Sequence, residues 1–288
     1  MERLDSLIGD LLIELERSGK SKNTLVIYLG DHGADLLRGK RTSFEGGVRV
    51  PMLLRWPKKS DWPLKGRVVE QLVSSLDLMP TLLEVAGIEP VEGLAGMSWL
   101  RLLSDKKVQW RRYLYTEYHL HSAHNFYPQR TVRDERFKLI CNLLAGEVNP
   151  GYEFTNVRFF DGMAETIAAG PTQIKQAYGR MRKPAKFELY DLQQDPFEFR
   201  DLVGDVEHAD VLSRLKSQLL EWRHRTKDPL LSHVNLDRLK REVEACFENG
   251  VPSKSRLRLT YPEYFYGTEE SPGINESQGA VNRSVDDR

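Results

Sequence analysis

The sequence predicts an α/β fold in which a sheet carries helices on both faces and a small C-terminal α+β subdomain follows. An amphipathic helix over residues 4–18 leads directly into Thr24–Leu29, a continuous apolar and β-branched run. A run of this kind is typical of a strand that is buried on both faces of a parallel sheet. With 288 residues, 40% of them hydrophobic and 29% charged, the chain is also long enough and apolar enough to bury a large core.

The later elements follow from apolar spacing and from start and stop signals. A short helix should begin at Asp77 as its N-cap and end at Gly87. Apolar and β-branched runs predict strands at 51–55, 68–73, 113–118, 131–143 and 187–192, the last two paired with each other. Apolar positions spaced by three and four residues predict further helices at 173–181, 208–225 and 236–248.

Balanced charge argues against a nucleic acid or a membrane as partner. Lysine and arginine together number 42, as do aspartate and glutamate, so no net field attracts the chain to a polyanion or to an anionic membrane. The sequence contains no run of 18 apolar residues. The two cysteines, Cys141 and Cys246, lie far apart and form no C-x-x-C pair, so both are expected in the core.

Asp31, His32 and Gly33 follow the best strand, at the carboxyl end where open α/β sheets place their ligand sites. Asp31 offers a hard oxygen ligand of the kind that Ca²⁺ or Mg²⁺ prefers. His32 suits softer metals, and donation to a bound anion is its alternative role. The structural alternative is that both side chains cap the turn or helix that follows.

The loop after this triplet carries a charge and a turn within a few residues. Lys40 is expected to place an ammonium over a tetrahedral anion, and Glu45 to hold the loop by pairing with Arg49. The Gly46–Gly47 pair allows a tight turn that brings the loop back toward the sheet. Together these residues are far more specific for an anion site than the preceding triplet alone.

Several motifs, in order, resemble the sulfatases of the alkaline phosphatase superfamily over about residues 1–228. They are T-L-V-I-Y-L-G-D-H-G from Thr24, F-E-G-G-V-R-V-P from Phe44, L-D-L-M-P-T-L-L-E-V-A-G from Leu76 and E-L-Y-D-L-Q-Q-D-P-F-E from Glu188. The resemblance implies a sulfatase-like (alkaline phosphatase-like) sheet, here in part, and a sulfuric ester hydrolase activity. It also implies that Asp31 and His32 hold part of a calcium site and that Lys40 contacts the sulfate.

Sulfatases attack with a hydrated formylglycine made from the first residue of C-x-P-x-R or S-x-P-x-R, and neither pattern occurs in these 288 residues. The isolated chain is therefore expected to have no sulfatase turnover. A helix that starts at once after Met1 favours a truncated reading frame or a fragment of a longer polypeptide over a natural degenerate protein. Family members are usually exported, periplasmic or lysosomal, and no signal peptide is recognisable here, so the location is left open.

A second cluster, residues 117–138, is rich in groups that bind sulfated sugars. Its three histidines, His119, His121 and His124, indicate either a zinc site that lacks a local fourth ligand or exposed loop histidines. The pattern H-x-x-x-x-x-Y-P-x-R-x-V-R from His121 resembles the heparan N-sulfatase (sulfamidase) branch. That resemblance places His121 and Arg130 near a sulfated sugar or glycosaminoglycan-like substrate.

The expected organisation is a catalytic α/β portion, a C-terminal subdomain, an extra helix with an aromatic segment, and a disordered tail, over residues 1–145, 146–235, 236–267 and 268–288. The aromatic segment Tyr261–Tyr266 suits docking onto the body of the protein or onto a partner in a homo-oligomer. Two alternative functions stay open. One is a phosphodiesterase of the same superfamily, and the other is a non-catalytic protein that binds sulfated carbohydrate through Lys40, Arg130 and the histidines.

Overall fold

The computed structural model describes residues 2–57, 66, 68–89, 91–104, 107–150, 163–253, 257–261 and 263–266. The chain divides into two units, Met1–Leu219 and Leu220–Arg288. The predicted disordered tail, residues 268–288, lies outside the described residues. Among the described helices, none is both long and apolar enough to cross a membrane.

The first unit begins with a helix and two short strands. Helix α1 is Glu2–Arg17, strand β1 is Val26–Leu29, helix α2 is Glu45–Val48 and strand β2 is Met52–Arg55. Strands β1 and β2 pair antiparallel, with Val26 opposite Arg55 and Leu29 opposite Met52. The prediction of a parallel sheet around β1 is wrong within the described part of the chain, where its neighbouring strand runs antiparallel.

Helix α1 forms as predicted, but other described residues leave its apolar face uncovered. None of its residues is buried, and Leu11 is 71% exposed. All four residues of β1 are half-buried, whereas burial on both faces was the expectation. An apolar period therefore predicts a helix and the direction of its apolar face, while burial depends on what packs against that face.

The next part of the first unit contains helix α3, Leu78–Val85, and helix α4, Trp99–Ser104. The predicted helix end at Gly87 is confirmed, since its φ of 71° suits the glycine that closes a helix. Asp77 precedes α3, but its carboxylate does not cap that helix. The Asp77 carboxylate accepts hydrogen bonds from the amides of Ser74 and Met97, both at 2.8 Å. These bonds join the start of α3 to the segment before α4.

Four strands form an antiparallel sheet in the order β3–β4–β5–β6. They are Leu114–Tyr118, Gln129–Arg133, Phe137–Asn142 and Phe187–Asp191. The predicted pairing of β5 with β6 is confirmed, with Leu139 opposite Leu189. Strands β5 and β6 lie on either side of the domain boundary expected near residue 145 and pair with each other. The predicted domain limits stay a prediction.

Two strand predictions differ from the structure. The single strand expected at 131–143 is two strands, because the Asp134 carboxylate accepts from the amides of Arg136 and Phe137 and closes a turn between them. Residues 68–73, expected as a strand, form none.

The core of the first unit lies on the four-stranded sheet. Helices α5, Met163–Ala169, and α6, Thr172–Arg182, precede β6, and α6 confirms the helix predicted there. Cys141 on β5 is buried, as predicted. A buried apolar cluster joins β5, β6 and α6 to the loop before α2, and its members are Leu37, Phe44, Ile140, Met181 and Tyr190. The sheet therefore supports residues 37–44 directly.

Helix α7 is Ala209–Arg225, and the second unit continues with helix α8, His233–Glu244, the short strands β7, Phe247–Glu248, and β8, Val251–Pro252, and helix α9, Glu263–Tyr266. Cys246 is buried, as predicted. The aromatic segment contacts α8 within this unit: the Arg238 guanidinium lies 4.7 Å from the centre of the Tyr264 ring and 3.1 Å from the Glu263 carboxylate. Homo-oligomerisation stays a prediction.

Candidate functional site

The loop between β1 and β2 folds back on itself through glycine contacts. The Gly33 amide donates to the Gly47 carbonyl at 2.9 Å, and the Gly30 amide donates to the Pro51 carbonyl at 3.0 Å. A Cβ atom on Gly33 would lie 1.8 Å from the Gly46 carbonyl oxygen, so no other residue fits this approach. Gly46 and Gly47, expected in a tight turn, lie instead in the single helical turn of α2, which brings the loop back toward β2.

Asp31 and His32 lie together at the open end of this loop. The Asp31 side chain is 88% exposed, and its Oδ2 lies 3.3 Å from His32 Nε2. His32 Nδ1 lies 2.8 Å from the Gly33 carbonyl, and because a carbonyl oxygen only accepts, the proton of a neutral ring belongs on Nδ1. The lone pair of Nε2 then faces the same point as the accessible carboxylate.

This arrangement fits part of a calcium shell. Ca²⁺ takes six to eight oxygen ligands, of which Asp31 supplies one carboxylate. His32 with its proton fixed on Nδ1 has the geometry that a ligating histidine shows in proteins. In the described residues, no group of three or more His, Cys, Asp or Glu side chains is placed to hold a metal ion. These two side chains are therefore a partial donor set.

Lys40 and its neighbour Arg41 place two positive charges on the same loop. A Cβ atom on Gly39 would lie 2.2 Å from the Ala34 carbonyl oxygen, and that oxygen accepts from the Lys40 amide at 2.8 Å. The Arg41 guanidinium pairs with both carboxylate oxygens of Asp35, at 2.5 and 2.7 Å. Arg41 holds a φ of 72°, which a side-chain-bearing residue adopts rarely. Sequence reasoning missed Arg41, although its place beside Lys40 was a usable signal.

His121 lies beyond the end of β3, on a turn that is held by Asn125. The buried Asn125 Oδ1 accepts from the amides of His121 and Ser122, at 2.8 and 2.9 Å, and from the Tyr118 hydroxyl at 3.1 Å. Partial desolvation lowers the pKa of His121, and the charges of Lys40 and Arg41 lower it further. The structure therefore brings His121 within electrostatic reach of the Lys40 loop, and a neutral imidazole is favoured there.

Arg130 lies in a different environment. Its side chain is 0% exposed on β4, where Nη1 donates to the Gln129 carbonyl at 2.9 Å and Nε lies 3.4 Å from a Glu117 carboxylate oxygen. A guanidinium buried in the sheet presents no face to a ligand in solvent. Its role in substrate binding stays a prediction, and sequence letters alone do not report its burial.

The three histidines of the second cluster do not assemble a zinc site in the described part of the chain. His121 is exposed, while His119 and His124 are half-buried. The alternative of an exposed loop histidine therefore describes His121.

Beneath the loop lies a buried charge cluster of four side chains, Glu45, Arg133, Lys138 and Glu198. The predicted pairing of Glu45 with Arg49 is wrong: the Glu45 carboxylate pairs with Arg133 at 2.6 Å and with Lys138 at 3.0 Å. Both partners lie far along the chain on β4 and β5, which sequence spacing cannot reveal. Burial pushes the pKa of Glu45 upward, but the charges of Lys138 and Arg133 outweigh it and hold the pKa below its usual value.

The region that contains these residues matches known proteins. A family model described as N-sulphoglucosamine sulphohydrolase, C-terminal, matches residues 30–156, which include Asp31, Lys40 and His121. The chain is 31% identical over 226 residues to the ulvan-active sulfatase of Formosa agariphila, which covers 76% of this chain and 36% of that protein. It is 30% identical over 241 residues to the N-sulphoglucosamine sulphohydrolase of Homo sapiens, which covers 79% of this chain and 47% of that protein.

The fold is also similar to that of a solved protein structure. It is described as a complex with its substrate D-glucosamine-2-N,6-O-disulfate, and it shares a TM-score of 0.55 and 25% identity, covering 78% of this chain and 39% of that one. The chain spans between 36% and 47% of the length of these two curated relatives. It belongs to the sulfatase family of the alkaline phosphatase superfamily and corresponds to the C-terminal part of that family's members.

Proposed function

We propose that this chain forms the sulfate-binding half of a hydrolase that cleaves sulfuric esters or sulfamates on sulfated sugars. The observation that carries the proposal is the loop between β1 and β2, which the Gly33–Gly47 hydrogen bond closes and which carries Lys40 together with the partial metal site at Asp31 and His32. The Lys40 ammonium balances part of the charge of a sulfate, which is delocalised over its oxygens. Preorganised positive charge of this kind stabilises charge that develops on a group in transfer.

Each residue has a distinct part in this proposal. Lys40 donates its ammonium protons to sulfate oxygens, and Arg41, whose charge is met by Asp35, holds the loop that carries Lys40. His121, whose pKa is lowered by partial desolvation and by both cations, is neutral at neutral pH and offers one donor and one acceptor nitrogen to the sugar. A calcium ion held in part by Asp31 and His32 would supply further positive charge to the sulfate oxygens when bound.

The substrate class follows from the relatives. The human relative is an N-sulphoglucosamine sulphohydrolase, and the solved structure binds a glucosamine with N- and O-sulfates. We therefore propose a sulfated glucosamine, as in glycosaminoglycan-like sugars, for this chain. Substrate choice resides in the details of the pocket, so the fold alone does not distinguish N-sulfate from O-sulfate.

The isolated 288-residue chain is proposed to bind such a sugar without hydrolysing it. It contains neither C-x-P-x-R nor S-x-P-x-R, from which the sulfatase nucleophile is made. A second candidate function, non-catalytic recognition of sulfated carbohydrate, is favoured by the same observation. The recognition residues Lys40, Arg41 and His121 all belong to this chain, while the nucleophile segment does not.

The test is a titration of the chain with glucosamine N-sulfate in calcium buffer, followed by amide NMR shifts and by an assay for released sulfate. We expect shifts at residues 40–41 and 121, their loss in Lys40→Met, and no sulfate release. Lys22→Met, at an exposed position before β1, is the matched control and should bind like the parent chain. Absent shifts in the parent chain contradict sulfate recognition. Sulfate release contradicts the missing nucleophile, and tighter binding of a phosphate ester supports a phosphodiesterase instead.

A further inference from the structure

We propose that Glu198 is a positioning residue for Lys40, and that it acts by holding both ends of the segment 38–45 against the four-stranded sheet. The proposal rests on the proposed function for the role of Lys40 itself. Glu198 lies far along the chain, after β6, and contacts this segment at Glu45 and at Arg38.

The first contact is made by the Glu198 carboxylate at the end of the segment. Its Oε2 accepts from the Glu45 amide, the first of α2, at 2.6 Å. The Lys138 ammonium lies 3.0 Å from a carboxylate oxygen of Glu45 and 3.0 Å from one of Glu198. The side chains of Lys138 and Glu198 are each 1% exposed and that of Glu45 is 8% exposed, so water competes little for these bonds.

The second contact is made by the backbone of Glu198 at the start of the segment. The Arg38 guanidinium donates to the carbonyls of Glu198 and Phe197, at 2.5 and 3.2 Å, and lies 3.7 Å above the centre of the Phe44 ring. Arg38 and Glu198 both hold positive φ, of 61° and 58°. Such backbones persist when surrounding bonds over-determine them. One residue therefore fixes the chain two positions before Lys40 and five positions after it.

The charges of the cluster indicate positioning as well as packing. Two carboxylates, Glu45 and Glu198, face two cations, Arg133 and Lys138. Burial raises the pKa of Glu198, although the Lys138 charge and the Glu45 amide oppose it. Buried ion clusters are often no more stabilising than apolar residues of equal volume. Apolar side chains would therefore be enough if the cluster only stabilised the fold. Directional bonds to both ends of one functional segment are what the ion cluster adds.

His121 responds to the position of this segment, because its pKa is lowered by desolvation and also by the charges of Lys40 and Arg41, which Asp35 opposes in part. If the Glu198 carboxylate is removed and the end of the segment at Glu45 relaxes away from the sheet, we expect both cations to move away from the imidazole. The pKa of His121 should then rise toward its ordinary value. A role of Glu198 in stability alone would leave this pKa unchanged in protein that is still folded.

The experiment measures the His121 pKa by NMR of its imidazole in the full chain, in metal-free buffer, with near-UV circular dichroism as the check of folding. Glu198→Ala should raise the pKa. Glu198→Gln should keep it near the parent value, since the amide oxygen still accepts from the Glu45 amide. Asp191→Ala is the matched control: Asp191 is also buried, bonds to Arg136 and lies outside this segment, so the pKa should stay unchanged.

Folded Glu198→Ala with an unchanged His121 pKa overturns the proposal, and so does an equal shift in Asp191→Ala. If Glu198→Ala does not fold, Arg38→Met removes the other contact, and a folded Arg38→Met with an unchanged pKa overturns it as well. A parallel titration with inorganic sulfate separates the two proposals. If the parent chain does not bind sulfate but Glu198→Ala still raises the pKa of His121, the proposed function is contradicted and the positioning role of Glu198 is supported.

Discussion

Helix α1 and strand β5 are both strongly apolar in pattern, yet they differ completely in burial. None of the residues of α1 is buried, while five of the six residues of β5 are. The difference shows that an amphipathic period predicts an element and its face but not the surface that covers it. In the described residues, the buried core of the first unit includes the four-stranded sheet, and α1 contributes no buried residue to it.

The site combines these two kinds of region. Its chemical groups are exposed or half-buried, Asp31 and Lys40 on the loop after β1 and His121 beyond the end of β3. Its support is the buried charge cluster on β4, β5 and the turn after β6. If this division is correct, changes in the cluster should cost much stability, and changes on α1 should cost almost none.

The largest expected effect is that of Lys138→Met. It leaves the carboxylates of Glu45 and Glu198 buried and close together, without the Lys138 ammonium that contacts both of them. Breaking a buried ion pair from one side costs roughly 3–5 kcal/mol in the free energy of unfolding. Urea unfolding followed by circular dichroism measures the loss, with the exposed Lys22→Met as control. Equal stability of the two variants would mean that the cluster does not support the sheet.

The next effect compares apolar truncations in the two regions directly. Leu139→Ala removes a fully buried side chain from β5 and should cost about 2–5 kcal/mol. Leu11→Ala, on the exposed face of α1, should change the free energy of unfolding by less than about 0.5 kcal/mol. Both values come from the same urea titrations. A large cost for Leu11→Ala would show that α1 packs against something in solution.

A smaller effect concerns acid stability at the turn between β4 and β5. Burial raises the pKa of Asp134, but the amides of Phe137 and Arg136 and the Arg214 guanidinium outweigh it and hold the pKa below the ordinary 3.8. A carboxyl with a depressed folded-state pKa contributes stability above its unfolded pKa, and this contribution is lost as pH falls through the folded pKa. Asp134→Asn keeps the acceptor for both amides but not the charge.

Asp134→Asn should therefore be less stable than the parent chain at pH 7, and the gap should narrow below pH 3.8. The slope of that narrowing cannot exceed about 1.4 kcal/mol per pH unit for one proton. Urea midpoints measured at several pH values give the gap. Asp10→Asn, at an exposed position on α1, is the control, and its stability should equal that of the parent chain at every pH tested. A gap of constant size across pH would assign the effect to the turn rather than to the charge.

Local patterns made much of the fold and part of the site predictable. Gly33, Lys40 and the Gly46–Gly47 pair lie within one loop, so their roles as turn and charge could be inferred from neighbouring letters. The sulfatase motifs added the family and the expected metal residues. Apolar runs likewise predicted β5, β6 and their pairing, because buried strands carry a strong signal.

The remaining features depend on residues that are distant in sequence. Glu45 was expected to pair with Arg49, four positions away, but its partners Arg133 and Lys138 lie on strands that only the folded sheet brings near. Asp134 divides one predicted strand into two through a side-chain turn that an apolar pattern does not report. The burial of Arg130 is likewise a property of the sheet and not of its sequence motif.

The smallest expected effect tests whether Lys40 lies close enough to His121 to change its pKa. Lys40→Met removes one of the two charges that lower the pKa of His121, so that pKa should rise while desolvation and Arg41 still keep it below its ordinary value. NMR titration of the imidazole measures the change, and Lys22→Met should leave it unaltered. Because Lys40 lies on the loop surface, the free energy of unfolding should hardly change. A rise in pKa without a loss of stability separates the chemical side of the site from its buried support, whereas an unchanged pKa would place Lys40 too far from His121 for both to contact one sulfated sugar.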